Sequence, residues 1–158
     1  MDLQEISDRL EIADVITRYT RGIDLGEWDR LDTVFTPDAD IDYTESGGIH
    51  ASYAEVKPWL AEMLPAFFPR RMHTIGQVEV VFAASDGASD GASEGVSEGA
   101  PDAASVVAYF DNPMPMHDGE GGEKIVEIGG MYHHEMVRTA DGWRSRRLHE
   151  HVVWKRGL

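Results

Sequence analysis

Asp24 and His73 are residue types that could together move a proton. Asp24 closes the run YTRGID (19–24), which is typical of a helix end, and His73 lies in the strand-like run MHTIG (72–76). A carboxylate bonded to one imidazole nitrogen fixes the tautomer and leaves the other nitrogen as a proton acceptor. Because histidine ordinarily has a pKa of about 6.5, such a pair could remove an acidic C–H proton beside a carbonyl or a leaving group.

Both residues also have a purely structural interpretation. A lone histidine on a strand is usually structural or exposed, and the residues that share its face at period two, among them Ile75, Gln77 and Glu79, are a mixed set. The direction of His73 therefore stays open. Asp24 could be a solvated acid at a helix end, although an acid there opposes the helix macrodipole.

A hydroxide leaving group needs a proton donor, and Tyr19 and Tyr43 are candidates for that role. Tyr19 precedes Asp24 by about one and a half helical turns, so the two residues lie on different stripes of the helix. They converge only if a pocket closes the end of the helix. Either tyrosine could instead be a core aromatic residue with a satisfied hydroxyl.

Helical signals dominate the first part of the chain. Asp2 with Glu5, and Ser52 with Glu55, resemble capping boxes that open two helices. A shorter helix is predicted for 27–35 and a strand for 36–43. Pro65 and Pro69 are expected to end the helix that begins after Ser52. Helical spacing predicts two apolar stripes, formed by Ile6, Leu10, Ala13, Ile16 or Thr17, and Tyr19 or Thr20 in the first helix, and by Val56, Trp59, Leu60, Met63 and Leu64 in the later one.

After residue 70 the apolar period shortens to two. Strands are predicted at 71–82, 105–111, 124–138 and 142–154, and Asp141-Gly142 between the last two is a strong hairpin signal. Helices followed by a run of antiparallel strands predict an α+β fold. We expect one domain over residues 1–158, in which helices pack on a strongly curved, mostly antiparallel sheet and enclose a pocket.

Residues 84–105, ASDGASDGASEGVSEGAPDAAS, have too few apolar side chains to offset the entropy of ordering, so we expect a flexible acidic loop. The formal net charge of −15 argues against binding to nucleic acid or to anionic membranes. The chain has no cysteine, which excludes disulfides and thiolate chemistry. It also lacks a membrane-spanning apolar run and the layout of a signal peptide, so we expect a cytoplasmic location.

A second cluster of candidate ligands lies in HHE (133–135) and HEH (149–151). His149 and His151 share one face at spacing two and, with His133 or His134, could bind zinc, copper or iron. We favour exposed histidines among arginines, because the glycine signatures of the cupin barrels that use such a pair are absent. No phosphate loop, dinucleotide fingerprint or nucleophile elbow occurs, so we predict no metal and no organic cofactor.

Three stretches, in this order, resemble the SnoaL-like branch of the nuclear transport factor 2-like superfamily. Residues 19–43 are similar to its helix-one, helix-two and first-strand signature, and MHTIG is similar to the strand that carries a pocket histidine. IGGMYHHEMVRTADGW (128–143) is similar to its penultimate strand and hairpin. The members that this chain resembles most are elimination enzymes: scytalone dehydratase, bile-acid dehydratase and lindane dehydrochlorinase.

By position, the resemblance implies that Asp24 orients His73 and that His73 is a general base. It further implies that Tyr19 and Tyr43 handle a substrate oxygen. It adds Asp111 and Arg138 as substrate-binding residues. From the residues alone, Asp111 could equally end a strand before Asn-Pro, and Arg138 could be a surface charge at a hairpin.

We therefore predict a cofactor-free lyase, a dehydratase or related eliminating enzyme, that acts on a hydrophobic cyclic small molecule. Trp28, Trp59 and Met131 are apolar candidates for the ligand pocket, although each could be core. One alternative is an isomerase or polyketide-cyclase-type enzyme with the same base, and another is a small-molecule-binding module without turnover. The resemblance also implies a homodimer or homotrimer.

Overall fold

The computed structural model of this protein describes residues 1–83 and 102–157, so residues 84–101 of the predicted acidic loop lie outside the described residues. The helices in the described ranges are α1 (Leu3–Leu25), a 3₁₀ helix (Trp28–Thr33), a second 3₁₀ helix (Thr44–Ser46) and α2 (Tyr53–Phe67). The strands are β1 (Phe35–Asp42), β2 (His50–Ser52), β3 (Thr74–Phe82), β4 (Ala103–His117), β5 (Glu123–Thr139) and β6 (Gly142–Arg156).

The six strands form one open mixed sheet in the order β2-β1-β6-β5-β4-β3. β1 runs parallel to β6, and every other pair is antiparallel. The predicted α+β architecture is confirmed. The predicted hairpin between β5 and β6 is confirmed too: Thr139 pairs with Gly142, and Gly142 has a positive φ of 95°.

Helix α1 begins as predicted but buries a partly different face. The Asp2 carboxylate accepts a hydrogen bond of 2.8 Å from the Glu5 amide, which caps the first turn. The expected stripe is wrong at Ile6, Leu10 and Ala13, whose side chains are exposed, and it is confirmed at Ile16, Tyr19 and Thr20, which are buried. The buried face also passes through Asp8, Ile12, Val15 and Ile23.

Asp8 can lie on the buried face because partners surround its carboxylate. It accepts hydrogen bonds from Arg138 at 2.7 Å and from the indole nitrogen of Trp143 at 3.2 Å. Burial raises the pKa of Asp8, but the hydrogen bonds from Arg138, Trp143 and Gln4 outweigh it and leave the pKa below its usual range. The hydrogen bonds of Asp8 with Arg138 and Trp143 attach α1 to the β5–β6 hairpin.

Helix α2 has the predicted capping box, since the Ser52 hydroxyl and amide both donate to Glu55, at 2.7 and 3.3 Å. It ends at Phe67, between Pro65 and Pro69, which were predicted to mark its end. Pro65 supplies no amide hydrogen, so the carbonyl of Ala61 loses its usual helical donor without ending the helix.

The main differences from the predicted strands are at β2, β3 and β4, and β4 also continues to His117, beyond the predicted end at Asp111. β3 begins at Thr74, so His73 precedes the strand. β4 begins at Ala103, so residues 103–105 are strand and not loop. β2 has only three residues, too few for a periodic signal, and was not predicted.

One hydrophobic core lies between the helices and the inner face of the sheet. Its largest fully buried side chains include Trp143, Tyr19, Tyr132 and Phe35. In the part of the chain that the structure describes, no helix is long and apolar enough to cross a membrane.

Candidate active site

A cavity of about 370 Å³ lies between α1, α2 and the strands β4 to β6. Most of its wall is apolar, including Trp59, Met63, Phe67, Phe68, Met114 and Ile128. The polar groups in the wall are Tyr19, Tyr43, Ser46, Arg71, His73, Asn112, Tyr132 and Glu150. A mostly apolar pocket with a few convergent polar groups is typical of small-molecule sites.

Asp24 and His73 lie in direct contact, through two hydrogen bonds. The ring Nδ1 of His73 lies 2.6 Å from Asp24 Oδ1, and the backbone amide of His73 donates to Asp24 Oδ2 at 2.8 Å. The His73 side chain is 3% exposed and that of Asp24 is 18% exposed. The bond from the backbone amide fixes the direction of His73, which strand alternation could not do because the residue precedes β3.

The charge of Asp24 determines the tautomer of His73. Burial raises the pKa of Asp24, but the hydrogen bonds and charge of His73, together with the charge of Arg71, outweigh it and lower the pKa. Asp24 is therefore an ionised carboxylate at neutral pH and can only accept hydrogen bonds. Nδ1 of His73 must carry the proton, and Nε2 of the neutral ring is an acceptor.

Tyr132 of β5 lies at that acceptor nitrogen. Its hydroxyl donates to His73 Nε2 over 3.0 Å. The ring is stacked on Phe110 with centroids 4.1 Å apart and meets the edge of Tyr19 at 5.2 Å. Burial raises the pKa of Tyr132 well above its ordinary value, so this hydroxyl stays protonated.

Tyr19 and Tyr43 face each other at the inner end of the cavity, with hydroxyl oxygens 2.8 Å apart. Both rings are almost fully buried. Burial raises the pKa of each hydroxyl, so both remain proton donors at neutral pH. One hydroxyl donates its proton to the other, so the proton of the second hydroxyl is available to a different acceptor.

Arg71 holds the end of α1 that carries Asp24. Its guanidinium donates to the Ile23 carbonyl at 2.8 and 3.0 Å and to the Phe68 carbonyl at 2.6 Å. This positive charge offsets the unfavourable placement of an acid at a helix C-terminus. Trp28 packs beneath the guanidinium, 5.8 Å from ring centre to Cζ, and is not among the residues of the cavity wall.

Glu150 of β6 and Asn112 of β4 are buried polar residues in the cavity wall. Burial raises the pKa of Glu150 to about 7, against the lowering effect of hydrogen bonds from Ser46 and Tyr132. Glu150 Oε2 and Asn112 Oδ1 have no hydrogen-bond partner among the described residues. Such buried acceptors are costly unless a ligand or another group satisfies them.

The structure thus places His73, Tyr19, Tyr43 and Trp59 in the cavity wall, with Asp24 hydrogen-bonded to His73. The other four candidates lie elsewhere: Trp28, as described above, and Asp111, Met131 and Arg138. Asp111 points to the opposite face of β4 from Asn112, where burial and the neighbouring Glu127 raise its pKa. Met131 alternates with the inward Tyr132 and pairs with residues of the outer face. Arg138 is bound to Asp8, away from the cavity.

The four histidines of HHE and HEH separate onto two faces of the sheet. His134 is buried, with Nδ1 3.0 Å from the Ser145 hydroxyl. His149 and His151 lie on the outer face, both within hydrogen-bond distance of Glu45, with His133 beside them. Within the described ranges, no group of three or more His, Cys, Asp or Glu residues is arranged to hold a metal ion.

Sequence reasoning missed Tyr132, Glu150, Asn112 and Arg71. A period-two signal was available for two of them, because Tyr132 alternates with exposed His133, and Glu150 shares a face with the buried Leu148. The direction of Asn112 depends on the phase of β4, which the following proline obscures because proline is uncommon inside a strand. Nothing in the local sequence indicates that Arg71 caps a helix 47 residues earlier.

These features define an α+β fold with an acid–base pocket, and comparison with known proteins identifies its family. The family model for the SnoaL-like domain matches residues 4–149, so the chain belongs to the SnoaL-like domain family. An uncharacterized protein of Mycobacterium tuberculosis strain H37Rv is 37% identical over 144 residues, covering 91% of this chain and 84% of that protein.

Solved structures share this fold at low identity. The hexachlorocyclohexane dehydrochlorinase LinA-type3 from Novosphingobium barchaimii LL02 superposes with a TM-score of 0.76 at 17% identity, covering 100% of this chain and 94% of that one. A candidate scytalone dehydratase from Novosphingobium aromaticivorans superposes with a TM-score of 0.75 at 16% identity, covering 100% and 92%. The resemblance to the nuclear transport factor 2-like superfamily is confirmed, and its neighbours include enzymes named for elimination.

Proposed function

We propose that this protein is a cofactor-free lyase that eliminates water or a related leaving group from a hydrophobic cyclic small molecule. The observation that carries the proposal is the buried His73, oriented by Asp24 through hydrogen bonds of 2.6 and 2.8 Å in the wall of an apolar cavity. The names of the dehydrochlorinase and dehydratase among its structural neighbours support the same reaction class.

In this proposal His73 Nε2 is the general base. The C–H group of the substrate takes the place of the Tyr132 hydroxyl at Nε2, and the imidazole accepts its proton. The ionised Asp24 stabilises the imidazolium that forms, because it already holds Nδ1–H at 2.6 Å. Proton transfer to a positioned base typically contributes about 10²–10⁴-fold to the rate.

Tyr19 and Tyr43 serve as hydrogen-bond donors to a substrate oxygen. Both hydroxyls stay protonated because burial raises the pKa of each. A donor aimed at an oxygen that gains negative charge in the transition state stabilises that charge more than it stabilises the ground state. A carbonyl beside the acidic C–H would provide such an oxygen.

The wall of the cavity suggests the size and polarity of the substrate. Trp59 and Phe68 provide aromatic surface, and Met63 provides a flexible apolar contact. A cavity of about 370 Å³ has room for a bicyclic ring. We therefore favour a ring-bearing ketone with a leaving group at the β position.

The proposal predicts that the purified protein converts β-substituted bicyclic ketones, such as 3-hydroxy-1-tetralone and its 3-phenoxy and 3-chloro analogues, to 1-naphthol. Product fluorescence and mass spectrometry measure the conversion, and deuterated water reports cleavage of the C–H bond. Boiled protein is the control.

Other results would favour the two alternatives. Deuterium incorporation without loss of the leaving group would favour an isomerase or a cyclase with the same base. Binding of ring compounds without deuterium incorporation or product from any of them would favour a binding module.

We also propose that the protein forms a homodimer or homotrimer through the outer face of the sheet. Val153 and Trp154 near the end of β6 are exposed, as are Val81, Tyr109 and Ile125 on other strands. Interfaces between protein chains bury exposed apolar side chains of this kind. Light scattering at micromolar concentration should give two or three times the mass of the 17.6 kDa chain, and a mass of one chain would reject this expectation.

A further inference from the structure

Glu150 is an acid that the base chemistry of His73 and Asp24 leaves unused. It lies in the cavity wall, it is 7% exposed, and its Oε2 has no hydrogen-bond partner among the described residues. Burying a carboxylate that has an unsatisfied oxygen is costly, so a protein that retains one in its pocket either satisfies that oxygen with a ligand or keeps the group neutral.

Glu150 is also connected to the base through one residue. It lies directly opposite Tyr132 across the β5–β6 pair, on the same inner face. Directly opposed side chains in an antiparallel pair are neighbours, and the Tyr132 hydroxyl lowers the pKa of the Glu150 carboxyl when it donates to that carboxyl and not to His73. The same hydroxyl lies 3.0 Å from His73 Nε2.

The groups around Glu150 favour its neutral form. The hydroxyls that act on it are those of Ser46 and Tyr132, and the charged groups are Glu45 and Lys155. Burial and the charge of Glu45 outweigh the effects of Lys155 and the hydroxyls, so the pKa rises to about 7. Tyr19 and Tyr43 also face it, and both remain uncharged. A large fraction of Glu150 is therefore protonated at neutral pH and can donate.

We propose that Glu150 is the general acid that protonates the departing oxygen of the substrate, on the opposite side of the Tyr132 hydroxyl from His73. This inference rests on the proposed lyase function and deepens it, because it specifies which leaving groups the pocket serves.

Two proton transfers accompany the elimination. His73 Nε2 takes the proton from the carbon beside the carbonyl, and the C–H electrons form the new C=C bond. The C–O bond breaks with its electron pair on oxygen, and that oxygen takes the proton of Glu150. Water leaves, and an imidazolium and a carboxylate remain.

Tyr132 then returns the two groups to their starting states. Its hydroxyl gives its proton to the Glu150 carboxylate while its oxygen receives the proton from His73 Nε2. No net proton is gained or lost, so the cycle needs no exchange with bulk water. This return of protons gives Tyr132 a role in the cycle, because it lies between His73 and Glu150.

An acid in this position matters only for a basic leaving group. Hydroxide cannot depart without a proton, phenoxide depends on protonation less strongly, and chloride departs without it. The geometry therefore points to β-hydroxy ketones, and to dehydration in preference to dehydrohalogenation.

Glu150→Gln tests the assignment, because glutamine keeps the size of the side chain but has no acidic proton. With 3-hydroxy-1-tetralone we expect kcat to fall by about 10²-fold or more, and with 3-chloro-1-tetralone to stay within about threefold. The 3-phenoxy analogue should lie between them. Glu135→Gln, the same change on the outer face of β5, is the matched control and should keep parental rates on every probe.

The pH profile gives a second measurement. Glu150 must be protonated to act, so kcat of the parent for the hydroxyl probe should fall as pH rises through the Glu150 pKa of about 7. This alkaline limb should be absent in Glu150→Gln. Infrared spectroscopy of the parent should show a protonated carboxyl near neutral pH that the variant lacks, and this measurement needs no substrate.

The outcomes separate the two proposals. An equal loss on all three probes, no loss on the hydroxyl probe, or no protonated carboxyl in the parent would overturn the role of Glu150 while leaving the lyase intact. If the parent eliminated none of the probes and incorporated no deuterium, the lyase proposal would be rejected, and the acid with it.

Discussion

Replacing His73 with asparagine is expected to lower kcat/KM by about 10²–10⁴-fold, the usual contribution of a positioned general base. The asparagine amide can still donate to Asp24 as Nδ1–H does, so the turn before β3 keeps its anchor. It has no counterpart of Nε2, so the acceptor for the substrate proton is lost. Steady-state kinetics on the best β-substituted ketone of the panel, with circular dichroism to check the fold, measures the effect.

The matched control is His133→Asn, which makes the same change on the outer face of the sheet. His133 is exposed and lies beside His149 and His151, outside the cavity. Parental kinetics are expected for this variant. If His73→Asn also kept parental turnover while remaining folded, the general base would have to be sought elsewhere in the cavity.

Asp24→Asn is expected to cause a loss of similar size by a different route. The carboxylate accepts two hydrogen bonds from His73, one from the ring and one from the backbone amide. An amide oxygen can take only one of these places, and the NH₂ group must face the other. If NH₂ faces the ring, Nδ1 becomes the acceptor and Nε2 carries the proton, which is the wrong tautomer for a base. Tautomer reversal in a comparable histidine–carboxylate pair costs about 10⁴ in kcat.

Nitrogen NMR of the His73 ring measures this change directly, because it distinguishes the two tautomers. Asp14→Asn, on the exposed face of the same helix, is the control. A fall in kcat without a change of tautomer would show that the charge of Asp24, and not its orientation of the ring, is what matters.

The same variant should change the acid stability of the protein. The pKa of Asp24 is lowered in the folded state, so Asp24 contributes stability above its unfolded pKa of about 3.9, and that stability is lost as pH falls through the folded value. Asp24→Asn should therefore lower the free energy of unfolding at neutral pH by about 1–3 kcal/mol, since one donor of His73 is left unsatisfied. The difference from the parent should shrink in acid.

The architecture could be predicted from the sequence because its signals are local. Capping boxes, a change of apolar period and one Asp-Gly turn indicate helices followed by hairpins. The details of the site depend on contacts between distant residues. The direction of His73 follows from a bond between its backbone amide and Asp24, 49 residues earlier, and no pattern around His73 contains that information.

Strand phase decided which candidates face the cavity. Asp111 and Asn112 are neighbours in sequence, and a shift of one residue exchanges their faces. The same alternation along β5 turns Met131 away from the cavity and places Tyr132 in its wall. The burial of Asp8 could not be predicted for a different reason. An acid on the buried face of α1 is unexpected unless its partners Arg138 and Trp143 on the hairpin are known.

Pro65 has a consequence for how a ligand reaches the cavity. Because it has no amide hydrogen, the carbonyl of Ala61 lacks its usual helical donor just where Met63 and Leu64 line the wall. A turn with one backbone bond fewer frays at lower cost than the strands opposite, and Phe67 at its end is already half exposed. We therefore expect the last turn of α2 to open more readily than the strands, and a bound ring that packs on it to slow amide hydrogen exchange there.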